Sequence, residues 1–177
     1  MSESQIPVYV DTRRVFHQGL DVRGNLSLEK LERFQEYLSV PTGSVKVELF
    51  FRITESGHRQ ITGNLAASVQ VNCQRCLGSL GIEIADDIRL VLLKDEAKAT
   101  DLEPSFDPWI CEDFKLELAA VIEEQLILSL PIVSYHPKGE CVSELSYQIG
   151  PSTITVEDDE IQIGSPFAIL KKLKKMT

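Results

Sequence analysis

Between Val45 and Ile53 apolar residues fall on every second position: Val45, Val47, Leu49, Phe51 and Ile53, with Lys46, Glu48 and Arg52 between them. Alternate side chains of an extended chain point to opposite faces, so this pattern predicts a half-buried strand. A second alternation, Leu65, Ala67, Val69 and Val71, runs directly into Cys73, and Ser56-Gly57 marks the turn before it. Beyond Gly78 and Gly81 a third extended segment carries Ile82, Ile84, Ile88, Leu90 and Leu92, with a bend expected near Asp86-Asp87. Short connections containing glycine favour antiparallel neighbours over crossover units.

Helical spacing occurs twice. Ser27 is placed to cap a helix over Leu28–Leu38, with Leu31, Phe34 and Leu38 on one face and Pro41 and Gly43 as stops. Asp113 is placed to cap a second helix running to about Leu130. Its core stripe would be Leu118, Val121, Ile122 and Leu126, with Pro131 ending it. Residues 6–26 read as extended, broken by Pro7, Gly19 and Gly24, and the charged stretch 94–108 reads as a mobile acidic loop. The tail carries a short strand pattern at Ile154–Val156, an acidic run at Glu157–Glu160 and a last helix from Pro166. The predicted fold is α+β: a curved, mainly antiparallel sheet or partly open barrel covered by one or two helices, with a short C-terminal basic helix. Residues 1–165 would form one domain and 166–177 the basic amphipathic helix.

Composition narrows the function. A chain of 177 residues that is 43% hydrophobic fits a single domain able to bury a core without disulfides. It carries 27 acidic against 18 basic residues, a net charge of −9. An acidic surface repels the phosphate backbone, so any RNA contact must be local or made through a protein partner. No stretch approaches the ~20 apolar residues of a membrane span, and residues 1–5 lack the pattern of a signal peptide. Four cysteines at 73, 76, 111 and 141 are too sparse for a disulfide scaffold and fit a reducing cytoplasm.

Cys73-Gln74-Arg75-Cys76-Leu77-Gly78 is the most specific local motif. Two thiols spaced this way at a strand end can face one tetrahedral ion, with Gly78 expected to allow the turn. A closed site needs two more ligands, for which His136 and Cys141, in one loop with proline and glycine, are the candidates for a structural zinc. The same pair also reads as reduced thiols without metal, or as a redox pair, although no helix N-terminus in a βαβ setting is there to activate it. Cys111 reads as a small buried hydrophobe. No nucleophile motif, phosphate loop or metalloprotease helix surrounds His17, His58 or His136. Glu123 and Glu124 point about 100° apart on a helix and read as a solvated face. No catalytic residue is assigned, and a non-enzymatic protein is expected.

Lys171, Lys172, Lys174 and Lys175 gather on the terminal helix beside Phe167 and Leu170. They could grip RNA phosphates or an acidic protein groove, with Arg75 as a further contact. Equally, they could complement the helix dipole or latch onto Glu157–Glu160.

Four features in this order resemble the YceD family of large ribosomal RNA subunit accumulation proteins. They are a strand ending in Cys-Gln-Arg-Cys, a helix ending Glu124-Gln-Leu-Ile-Leu-Ser-Leu-Pro131, a short cysteine-bearing loop and a terminal Pro-Phe-Ala-Ile-Leu-Lys-Lys-Leu. The resemblance implies a non-enzymatic role in accumulation of 23S rRNA, through synthesis or processing of its precursor. Partners would be ribosome-assembly or rRNA-processing proteins, with precursor 23S rRNA at the C-terminal helix and no membrane. Many relatives carry a second CxxC after the Leu-Pro helix. Here only Cys141 stands there, with His136 before it, so either His136 replaces a thiol or metal has been abandoned. A zinc-stabilised protein-binding module and a CxxC thiol oxidoreductase are the alternative readings.

Overall fold

The computed structural model describes residues 5–95, 99, 102–137 and 139–141. The chain divides into units 1–145 and 146–177, and the second lies outside the described residues. So do the Ile154–Val156 strand, the acidic run, the helix from Pro166 and the expected boundary at 165.

The elements run β1 (Tyr9–Asp11), α1 (Thr12–Gln18), β2 (Asp21–Ser27), a 3-10 turn (Leu28–Lys30), α2 (Glu32–Gln35), β3 (Leu38–Val40), β4 (Ser44–Ile53), β5 (Arg59–Asn72), β6 (Ser79–Leu93), β7 (Asp107–Ile110), β8 (Lys115–Glu117) and α3 (Leu118–Leu128). The fold is α+β, as expected. Its sheet is open rather than closed into a barrel, in the order β2-β4-β5-β6-β7 with β3 also paired to β5. Every pairing in it is antiparallel except β6 with β7. β1 and β8 form a separate two-stranded ribbon.

The alternating apolar residues of the long strands form the core. Val45, Val47, Leu49 and Phe51 of β4 are fully buried, as are Ile61 of β5 and Ile88 of β6. Leu28, Leu31 and Phe34, together with Val121, Ile122 and Leu126 of α3, belong to the same cluster. Phe16 of α1 meets Phe51 edge to face, with ring centres 5.4 Å apart. Gly63 leaves no room for a side chain beside β4, because a Cβ there would collide with the Glu48 carbonyl oxygen.

Five expectations are corrected. Residues 6–26 are not simply extended, because Thr12–Gln18 is helical. The Asp11 carboxylate caps the Arg13 amide at 2.9 Å, and Gly19 closes the helix at φ 58°. The helix expected over Leu28–Leu38 is broken at Leu31 (φ −113°, ψ 76°), so that Leu28, Leu31 and Phe34 all reach the core. Leu38 instead begins β3, which pairs with the end of β5 beyond the reach of β4. The stretch 94–108 is not loop throughout, since Asp107 and Pro108 enter β7 at the edge of the sheet, where proline is tolerated.

The second helix starts at Leu118 rather than near Asp113, because Lys115–Glu117 pair with β1. Finally, Glu123 is not solvated. It is buried, and its Oε1 accepts hydrogen bonds from the Arg33 and Phe34 amides at 2.8 and 3.1 Å, satisfying the start of α2. Glu124 pairs with Arg33 at 2.9 Å.

β6 pairs with β5 without a register shift through Asp86, which sits half-buried on the core side. Its Oδ2 accepts from Gln125 Nε2 at 2.8 Å and Ser129 Oγ at 2.6 Å, fixing the C-terminal end of α3 to the sheet. These donors, Ser129 foremost, hold the Asp86 carboxyl below its ordinary value despite partial burial.

Candidate metal centre

β5 and β6 are paired along their whole lengths, out to Asn72 opposite Ser79. The six residues between them, Cys73 to Gly78, therefore form the tip of the longest hairpin. The Cys73 amide donates to the Gly78 carbonyl and the Leu77 amide to the Cys73 carbonyl, each at 2.8 Å. Leu77, not Gly78, adopts the left-handed conformation, at φ 60°. That corrects the role expected of Gly78. Leu77 is 76% exposed, so it gains little packing in return for the strain.

The second half of the site is a strap that leaves α3 at Ser129 and returns over the hairpin tip. The Gln74 amide donates to the Ser134 carbonyl at 2.9 Å, and Gln74 Nε2 donates to the Ile132 carbonyl at 3.3 Å. Arg75 lies over the Tyr135 ring, its guanidinium carbon 5.0 Å from the ring centre. These contacts deliver His136 and Cys141 to the two hairpin cysteines.

The ligand atoms of Cys73, Cys76, His136 and Cys141 all lie within 4.8 Å of one another. Cys76 Sγ is 3.3 Å from His136 Nδ1, Cys141 Sγ is 3.6 Å from the same nitrogen, and the Cys73 and Cys141 sulfurs are 3.6 Å apart. A tetrahedral ion with bonds of about 2.3 Å to sulfur and about 2.0 Å to nitrogen would hold its ligands roughly 3.5–3.8 Å apart. These three separations lie close to that spacing. His136 Nε2 donates to the Ser79 carbonyl at 3.0 Å, so the neutral ring presents the Nδ1 lone pair to the sulfurs. All four cysteines are free thiols.

The electrostatics suit a cation. Burial opposes charge on Cys73, but backbone N–H groups of Cys76, His136 and Arg75 and the Cys141 thiol overcome it and hold Cys73 at about 5. His136 is raised, chiefly by its bond to Cys73 and then by the Ser79 carbonyl. Cys141 is raised by burial and by the neighbouring sulfurs. The Cys73 thiolate is one anionic ligand already in place, and a divalent ion binding the group would displace the remaining protons. The three cysteines and His136 can hold a metal ion, and among the described residues no other such group occurs.

Cys111 stands apart. Its thiol donates to the Asp113 carbonyl at 3.0 Å, and burial pushes its pKa up. Of the expected partner contacts, Arg75 is exposed on the hairpin tip, and Lys171, Lys172, Lys174 and Lys175 lie outside the described residues. Gln74 and Ser79, which clamp the strap, were not legible as site residues because their contributions run through backbone groups and an amide.

Residues 61–174 match the family described as large ribosomal RNA subunit accumulation protein YceD. The chain belongs to the YceD family. Over 176 residues, 99% of each chain, it is 24% identical to the large ribosomal RNA subunit accumulation protein YceD of Haemophilus influenzae. The YceD match begins within β5 and includes both halves of the cluster. No solved structure matches the chain. No helix among the described residues is long and apolar enough to cross a membrane.

Proposed function

We propose that this protein promotes accumulation of 23S rRNA as a non-enzymatic cytoplasmic factor that joins other molecules rather than transforming a substrate. The observation that carries this reading is the YceD match, which takes in nearly all of the two long strands, α3 and the whole Cys3His cluster. The acidic chain supports action through ribosome-assembly or rRNA-processing proteins, with RNA contact limited to Arg75 and Lys171, Lys172, Lys174 and Lys175.

In the same reading the cluster holds zinc, which ties the strap to the hairpin tip and performs no chemistry. Cys73, Cys76, Cys141 and His136 Nδ1 supply a closed set of four ligands, the arrangement of structural rather than catalytic zinc. The test is the ratio of mature 23S to 16S rRNA in cells lacking the protein. The ratio is expected to fall and to recover with the full chain. An unchanged ratio would overturn the reading.

A further inference from the structure

If the CxxC spacing is read as a redox pair, Cys73 and Cys76 are the partners, but the structure pairs the thiols differently. Cys73 Sγ contacts Cys141 Sγ at 3.6 Å, while Cys76 Sγ is turned to His136 Nδ1 at 3.3 Å. Cys73 and Cys76 belong to one turn, held by the Leu77-to-Cys73 hydrogen bond and the register of β5 with β6. Cys141 belongs to the strap, which is tied to the hairpin by the two Gln74 bonds to Ile132 and Ser134 and by His136 to the Ser79 carbonyl rather than by strand pairing, and so has more freedom to close the remaining gap. A disulfide needs its sulfurs at about 2.05 Å, so closure requires roughly 1.5 Å of side-chain and strap adjustment.

We propose that Cys73 and Cys141 are the disulfide-forming pair of this protein, and that the cross-link and a bound metal are alternative states of one centre. The second half of this proposal rests on the metal reading above; the first does not. With hydrogen peroxide as oxidant, a thiolate attacks the O–O bond and gives a sulfenic acid and hydroxide. The other thiolate then displaces the sulfenic oxygen as a second hydroxide, and the two protons lost from the thiols turn both into water, so two thiols and one peroxide give one disulfide and two waters. The product removes two of the four ligands while still fastening the strap to the hairpin. Both sulfurs are buried, so oxidation is slow while a metal holds the strap and faster once it is stripped.

The experiment uses the full chain, stripped with a chelator and then treated with hydrogen peroxide. Free thiols are alkylated, the protein is digested and its cross-links are mapped by mass spectrometry. Cys73 linked to Cys141, with Cys76 and Cys111 alkylated, is the expected result, and a Cys76→Ser variant should keep that link. Zinc uptake measured in parallel should be lost on oxidation and return with a dithiol reductant. A Cys73–Cys76, Cys76–Cys141 or intermolecular link, or four alkylated thiols, would overturn the proposal. Absence of zinc uptake before oxidation would instead contradict the metal reading and leave the mapped cross-link to stand on its own.

Discussion

The two halves of the Cys3His cluster are held by different kinds of structure. Cys73 and Cys76 sit on the tip of a hairpin whose strands are hydrogen-bonded along their full length, and their backbone is fixed by cross-turn bonds. His136 and Cys141 sit on a strap without helix or strand, fastened through Gln74, the Ser79 carbonyl and the stacking of Arg75 on Tyr135. The hairpin half is therefore built by the fold, whereas the strap half rests on a few contacts to the hairpin tip. The strap also displays Ile132, 95% exposed, with Val133 and Tyr135. Fastening it thus fixes an apolar surface as well as two ligands.

Metal removal should separate the halves most sharply. With a chelator present, hydrogen exchange is expected to show strap amides opening at nearly zero free-energy cost, while β5 and β6 keep the protection of the global core. Equal loss in both halves would mean that the hairpin also depends on the metal.

A smaller effect should come from the launch point of the strap. Replacing Asp86 with Ala removes its charge-assisted bonds to Gln125 and Ser129 and should cost about 2 kcal/mol in denaturant unfolding at neutral pH. Its contribution has a definite pH sign. The folded carboxyl is held below the unfolded value of 3.8, so its stabilisation is complete above that value and is lost as pH falls through the folded one. Asp86→Asn should therefore lose less stability than the unaltered chain on going from neutral pH to about pH 3. Parallel curves would remove Asp86 from the account.

The smallest effect belongs to the hairpin alone. Leu77→Gly relieves a left-handed leucine but loosens the unfolded chain, for a net gain of about 0.5 kcal/mol. A loss in thermal unfolding would show that the exposed leucine packs after all.

The same contrast explains how much was legible in the sequence. β4, β5 and β6 were readable because strict alternation reports burial on one face, and the strand leading into Cys73 fixed the place of the hairpin ligands. The ligand set from both halves was also visible as residue types, although nothing in the spacing of His136 and Cys141 could show that the Gln74 amide and Ser79 carbonyl bring them to the tip. Helix α1 escaped because only Thr12, Val15 and Phe16 are buried and just two of them are apolar, too few to make a hydrophobic period, although Asp11 and Gly19 were in place as caps. The helix over Leu28–Leu38 failed for the opposite reason. Its spacing was helical, but burying Leu28, Leu31 and Phe34 together and pairing Leu38 with β5 outweighed local preference. Glu123 looked like surface because sequence does not reveal that a neighbouring helix start needs an acceptor.

The most direct test of the metal centre is the absorption spectrum of the full chain titrated with cobalt(II), which reports ligand type and geometry together. One equivalent should bind with intense d–d bands of tetrahedral geometry and sulfur-to-cobalt charge transfer, and zinc should displace it. Weak octahedral bands, or uptake unchanged by Cys73→Ser, would contradict a centre built from three thiolates and His136.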